Sequence, residues 1–418
     1  MSLAPAILLD ADIRAIEGIV TPLGRRGVPL VALSRAADCP AFHSRYVTRR
    51  VPGAPLADED GLVTTLLGLP ERGVIVPSDD VSARLLARNR DTLLAAGHRL
   101  GISTAETLER GFDKWECAQV VSGLDIPTPA TRLLDDGADP HTLAASVGYP
   151  LVVKATTLAG GAYVRVAGPD DLAGAVARMR ELAGRPENRT RRPRIMVQAW
   201  VDCAMEDIWC VETLYRRDKR PVGFLSLRKI RTNVNRDGTF GSRMYAGEAV
   251  PNPALEALTE RLLTHLGWQG FAHLDWMRSR ADGRFYLTEI NPRLPGFSTV
   301  LARAGFDLAW LYYADLEGLP AEPPRPVPTL YFEPLRYPGD LSSAVATIAR
   351  RQYSAWRFLA SYARVLRGSH RVAVDYFSWR DPAMTLAVML GMARTLVSEL
   401  RRGSQADARA RSGSVRVA

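Results

Sequence analysis

The stretch Phe271–Arg293, FAHLDWMRSRADGRFYLTEINPR, constrains this chain more than any other. Two runs rich in aromatic and aliphatic residues, FAHLDWM and RFYLTEI, flank Ala281-Asp282-Gly283, which has the chemistry of a turn. In an antiparallel hairpin centred on Asp282, facing residues have a constant index sum, so Asp275 falls opposite Glu289. Such partners have Cβ atoms about 4.5–5.5 Å apart. Asn291 lies two residues beyond Glu289, on the same face of an extended strand, and Arg293 follows. Facing carboxylates repel unless a cation lies between them. Two carboxylates and an amide oxygen suit Mg²⁺ shared with phosphates, with Mn²⁺ as the alternative metal. A merely solvated hairpin would not explain why Glu289 and Asn291 interrupt an apolar strand on one side.

The order Asp275, then Glu289-Ile290-Asn291-Pro292-Arg293, resembles the metal-binding end of the ATP-grasp superfamily, the fold of D-alanine–D-alanine ligase and biotin carboxylase. The resemblance covers most of residues 1–320. It implies an α/β protein: an N-terminal Rossmann-like parallel-sheet domain (1–108), then an α+β ATP-grasp fold. That fold comprises a small subdomain (109–198) and a large one carrying the metal site (199–320). A helical extension (330–402) and a disordered tail (403–418) complete the expected layout.

The residues support the first part of this layout independently. AILLD, VPLVAL and GVIVP are short apolar runs alternating with helical patterns around Arg14–Arg26 and Val81–Ala96, the signature of a parallel sheet. No GxGxxG follows the first run, which disfavours a dinucleotide site. Asp79 and Asp80, after the third run, read as helix N-capping residues.

Downstream, Asp113 reads as the N-cap of a helix that ends at Gly123. Lys154 ends a short buried β-run, a costly position for a lysine unless an anion meets it. Small residues at Gly160 and Gly161 would let backbone N–H groups approach phosphates. The remaining roles are those the resemblance implies. Lys114 and Lys154 would meet the ATP phosphates, and Gln198, Ala199, Trp200 and Val201 would form the linker that cups adenine. Glu206, with Asp207 as the alternative, would bind ribose; Lys229 and Arg231 would face the transferring phosphate. The loop at 155–162 is shorter than is usual in that family and lacks its own basic residue.

The reaction implied by the resemblance is ATP- and Mg²⁺-dependent. A carboxylate becomes an acyl phosphate, an amine attacks it, and ADP is released. Asp275, Glu289 and Asn291 would hold the metal, while Arg293 fits either phosphate or the substrate carboxylate. Small-molecule acids and amines are the expected partners. A kinase or thiol ligase with the same nucleotide site, an ATP-binding regulator, or a membrane-surface protein are the alternatives.

Charge enters the argument at the C-terminus. From Arg336 onward there are fourteen arginines and no lysine against five acidic residues, an excess that equals the whole net charge of +9. Basicity therefore says nothing about the ATP-grasp region, and no nucleic-acid partner is expected. The C-terminal helices read as packed, with an interfacial role against anionic lipid, or an anionic substrate carrier, as the alternative. The cysteines Cys39, Cys117, Cys203 and Cys210 form no metal-ligand spacing and read as reduced structural thiols of a cytoplasmic protein. The first apolar run, Ala4 to Leu9, stops at Asp10 with no basic residue before it, and reads as a strand rather than a signal peptide.

Overall fold

The computed structural model describes residues 3–11, 14–56, 58–134, 137–158, 162–185, 188, 193–234, 240–332, 344–345, 348–349, 351, 354–366, 371–374, 378–391 and 394. Gly160, Gly161 and the tail 403–418 lie outside the described residues.

Strands β1 (Ala6–Leu8), β2 (Leu30–Leu33), β3 (Val47–Val51) and β4 (Val74–Val76) form a parallel sheet in the order β3-β2-β1-β4. Strands β1, β2 and β4 are buried throughout, as a parallel sheet covered on both faces requires. Alternate residues feed two separate cores: Ala6, Leu8, Leu30 and Val74 on one side, Ile7, Leu9, Val31 and Ile75 on the other. The edge strand β3, VTRRV, exposes Thr48, Arg49 and Arg50 and carries no apolar signal in the sequence. The helical pattern over 81–96 resolves into two helices, Asp80–Arg88 and Arg90–Ala95, divided at Asn89.

Strands β5 (Thr131–Leu134), β6 (Leu151–Ala155), β7 (Tyr163–Val166) and β8 (Ile195–Ala199) form an antiparallel sheet in the order β5-β8-β6-β7. Helices Pro140–Val147 and Leu172–Ala183 pack on one face through Ala144, Leu172, Val176 and Met179, against Leu151, Val153 and Val197. Val152, Lys154 and Gln198 therefore point from the opposite face.

The third sheet carries the hairpin of Asp275 and Glu289. Strands β9 (Ile208–Tyr215), β10 (Pro221–Val234), β11 (Phe240–Ala249), β12 (Gly270–Arg278), β13 (Phe285–Asn291), β14 (Thr329–Phe332) and β15 (Arg371–Val374) run in the order β13-β12-β9-β10-β11-β14-β15. All neighbours are antiparallel except β14 and β15. The extension read as helical thus also adds β15 to this sheet, besides its helix Ala355–Leu366.

Alternation along β12 sorts two environments. Leu274 and Trp276 join Leu262, Leu266 and Trp268 in a core beneath helix Pro253–Leu266, which Asn252 caps and Gly267 closes with φ +64°. Phe271, with Cys210 and Leu214 of β9, faces the core shared with the N-terminal domain and with helices Ser298–Arg303 and Leu308–Glu317.

Candidate functional site

The hairpin pairs Asp275 with Glu289, as the index sum requires. The match runs 273–291, 274–290, 275–289 and then shifts to 276–287, so Thr288 is an extra residue. Its hydroxyl donates to the Asp275 carbonyl at 3.0 Å, which accommodates the bulge. Asn291 Nδ2 donates to Glu289 Oε1 at 3.4 Å, so both carboxylates and the amide converge at one end of the sheet.

Two lysines meet these carboxylates separately. Lys229 Nζ, almost fully buried on β10, lies 2.6 Å from Asp275 Oδ1. Lys114 Nζ lies 3.1 Å from Glu289 Oε2 and donates to the Leu158 carbonyl at 3.0 Å. Lys114 owes its position to Asp113, the N-cap of helix Lys114–Ser122, whose carboxylate accepts from Trp115 and Glu116 N–H. Burial alone would raise the Asp275 carboxyl, but Lys229 and His273 outweigh it and hold it well below the usual carboxylate range. Glu289 is likewise held low by Lys114 against the effect of burial.

Lys154 stands apart. It is buried on β6 and makes no hydrogen bond or ion pair among the described residues. Burial, and then the neighbouring Lys114, push its ammonium down to about 7, with Glu289 opposing. An unpaired buried lysine is costly in the isolated protein and is stabilised by any anion that enters.

One cleft between the second and third sheets is lined by Lys114, Lys154, Lys229, Asp275 and Glu289. Gln198, Ala199, Trp200 and Val201 line it too, with Val152, Leu158, Ile208 and Met277 as apolar walls. Gln198 Nε2 donates to Thr131 Oγ1 at 2.8 Å, and the Trp200 ring lies 5.1 Å below the Arg165 guanidinium. The N–H groups of Ala199 and Trp200 are bonded to the carbonyls of Ala130 and Pro150.

Three residues singled out in the sequence have surroundings that only the tertiary structure shows. Arg231 does not line this cleft: bulges interrupt β10 beyond Lys229, and its guanidinium lies 5.1 Å from the Phe358 ring centroid. Glu206 also lies away from the cleft lining, with Oε1 3.2 Å from Arg357 Nη1. Asp79 is the N-cap of helix Asp80–Arg88, but Asp80 is not a cap. It is buried and accepts from Arg293 Nε at 3.0 Å, which ties the end of the Asp275/Glu289 hairpin to the N-terminal sheet.

His273 and Glu212 were not legible as site residues. They face each other across β12 and β9, with Nδ1 and Oε1 2.5 Å apart. His273 Nε2 lies 3.1 Å from Asp275 Oδ2. Burial disfavours a charged imidazole, yet Glu212 and Asp275 overcome it and raise His273 to about 10. Both Asp275 oxygens are therefore engaged by cations. The signal available was that His273 shares a strand face with Asp275. With Cys210, these two side chains place ligand-type atoms within 4.8 Å of one another, but His273 and Glu212 spend theirs on an ion pair.

Lys114, Lys154 and Lys229 thus surround the Asp275/Glu289/Asn291 oxygen cluster at the seam of the second and third sheets. The computed model superposes on an L-amino acid ligase from Bacillus licheniformis with a TM-score of 0.59 and 19% identity, covering 78% of this chain and 79% of that one. The chain has the ATP-grasp fold. A second ATP-grasp neighbour is the biotin carboxylase domain of a 2-oxoglutarate carboxylase from Hydrogenobacter thermophilus, solved with MgADP and bicarbonate. Its TM-score is 0.61 at 14% identity, covering 77% of this chain and 71% of that one.

By sequence, the chain is 27% identical over 193 residues to a D-alanine–D-alanine ligase of Stutzerimonas stutzeri, covering 45% of this chain and 56% of the relative. It thus spans about half the length of the curated ligases that it matches most extensively. No family model matches the chain. Its donor set fits a hard divalent cation: two carboxylates held ionised by lysines and one amide converge, all through oxygen.

Proposed function

We propose that the protein is an ATP-dependent ligase that activates a carboxylate as an acyl phosphate and joins it to an amine. The observation that carries this reading is the unpaired Lys154 beside a cleft where Lys114 and Lys229 already neutralise Glu289 and Asp275. Cationic side chains outnumber the available carboxylates at one end of an apolar slot, as a polyphosphate ligand requires.

In this reading adenine enters between Val152, Leu158, Ile208 and Met277, beside Gln198 and the Trp200 ring. The Val201 N–H, which has no hydrogen bond among the described residues, is available to the base. Lys114 and Lys154 take the α/β-phosphates and Lys229 the γ-phosphate. Gly160 and Gly161 would close over them, and Glu206 would take ribose by exchanging its Arg357 partner. Mg²⁺ held by Asp275, Glu289 and Asn291 would offset the charge of the phosphate oxygens. A substrate carboxylate oxygen attacks the γ-phosphorus and displaces ADP. The amine then attacks the acyl carbon, phosphate leaves, and the nitrogen loses a proton. Arg293 would hold the acyl phosphate or the incoming carboxylate, with Asp80 orienting its guanidinium. Arg231 would face the transferring phosphate only by leaving the Phe358 ring.

The test is ADP release by the purified protein with MgATP and paired panels of acids and amines. Turnover that needs one acid and one amine, with an amide recovered, is the expected result. Turnover with a hydroxyl acceptor alone would make it a kinase, and with a thiol a thiol ligase.

A further inference from the structure

A helix at 382–391, PAMTLAVMLG, is apolar all round. Its inner side is firmly seated: Asp381 is fully buried and accepts from the Ser44 hydroxyl and, at 3.3 Å, from Arg45 N–H, while Met384 and Val388 are buried. Its outer side is just as apolar, yet Leu386, Met389 and Leu390 are 57%, 40% and 50% exposed. These three lie at helical spacing i, i+3, i+4 and share one face. A helix with no polar face needs cover on every side. Every large exposed hydrophobic among the described residues lies between Val345 and Leu390, Trp379 being the most exposed at 84%.

Trp379 and Arg380 also form one wall of a cavity of about 1290 Å³ that shares no lining residue with the nucleotide cleft. Its other walls are helix Glu17–Gly24, helix Ser298–Arg303 and the segment 320–325. Arg25, Arg325 and Arg380 border it, and none has an ion pair or side-chain hydrogen bond among the described residues. On its lining, the buried hydroxyls of Thr21 and Thr299 lack partners, and Thr299 is only 8% exposed. The lining also holds Glu17, Asp307 and Glu322, with Asp307 paired to Arg26, but its five arginines (Arg25, Arg26, Arg303, Arg325 and Arg380) outnumber the three acids and leave positive charge to receive phosphate oxygens.

We propose that this face docks on an anionic lipid surface. Phosphate headgroups enter the cavity between Arg25, Arg325, Arg380 and Thr299, while Trp379, Leu386, Met389 and Leu390 enter the interfacial layer. Indole and leucine side chains beside arginines match the chemistry of that layer. A second copy of the chain is the weaker occupant, because the whole net charge of +9 resides after residue 335 and symmetric pairing would oppose like charges. The inference is independent of the ligase reading.

The test is co-sedimentation of the full chain with vesicles of phosphatidylcholine alone, or with about one-third phosphatidylglycerol. The protein is expected to pellet only with the anionic vesicles and to be released by raised salt. Two variants probe the two parts: L386Q/M389Q/L390Q for the helix face and R325A/R380A for the cavity. Each should lower partitioning by about tenfold or more, with unchanged melting temperature, solution mass and binding of a non-hydrolysable ATP analogue. No pelleting of the unaltered protein, or pelleting of both variants equal to that of the unaltered protein, overturns the proposal. A dimer that the triple variant dissociates would assign the face to a second copy. Binding to polyglutamate but not to vesicles would assign it to an acidic protein. Either result also overturns it.

Discussion

Asp275 and Glu289 face each other across a two-stranded ladder, yet each is paired with a different lysine from a different element. Asp275 takes Lys229 of β10 at 2.6 Å, and Glu289 takes Lys114 of a helix N-terminus at 3.1 Å. The repulsion that would drive these carboxylates apart is thereby cancelled before any metal or nucleotide arrives. The cancelling charges are on flexible stems that can turn toward phosphates.

The proposed metal ligands Asp275 and Glu289 are the first place to test the ligase reading. Asp275→Asn and Glu289→Gln remove charge with little change of volume, so the fold should survive. Turnover should fall by about 100-fold or more, the scale of losing one strong electrostatic contact in a water-poor site. Steady-state ADP production, checked beside circular dichroism, measures it. Near-normal Mg²⁺-dependent turnover in Glu289→Gln would remove this residue from the metal site.

Lys154→Met should separate binding from stability. Loss of a charge-assisted contact, roughly 1.5–3 kcal/mol, should weaken ATP by about tenfold to a hundredfold in calorimetry. The nucleotide-free variant should nevertheless melt higher at neutral pH. Lys154 falls from an ordinary 10.5 to about 7 on folding. Its penalty is therefore complete below pH 7 and fades as pH rises toward 10.5. The stability gained by the variant should shrink over that same window. An unchanged ATP affinity in a folded variant would make this lysine structural.

Glu212→Gln should act in the opposite sense. His273 rises from an ordinary 6.5 to about 10 because Glu212 and Asp275 overcome its burial. The stability it contributes is complete below pH 6.5 and is lost as pH rises through 10. Removing one partner of such a buried network costs about 3–5 kcal/mol, and denaturant unfolding should show that loss at pH 6 shrinking by pH 10. A pH-independent difference would mean that His273 is not held charged.

Much of the site was legible because strand geometry is local. The facing of Asp275 and Glu289 follows from a turn and a period of two, and the bulge at Thr288 shifts the register only beyond them. Lys154 was legible as an anomaly of burial, Lys114 only through its capped helix start and its resemblance to a family. Composition held a further signal: of 54 basic residues only four are lysines, and Lys114, Lys154 and Lys229 all line the cleft.

What the sequence alone determined was the set of short-range relationships: buried runs of the parallel sheet, the helix caps at Asp79 and Asp113, and the hairpin with its carboxylates. The tertiary structure alone decided which charges meet across distant parts of the chain. Asp80 reaches Arg293 over 213 positions, His273 reaches Glu212 over 61, and Arg357 claims Glu206 over 151. It also drew β15 into the sheet of the site and left the outer face of the helix at 382–391 uncovered. Periodicity reports which face of an element is apolar. The partner that an ion or an apolar face finds is set by how separate sheets and helices stack, and no local pattern encodes that.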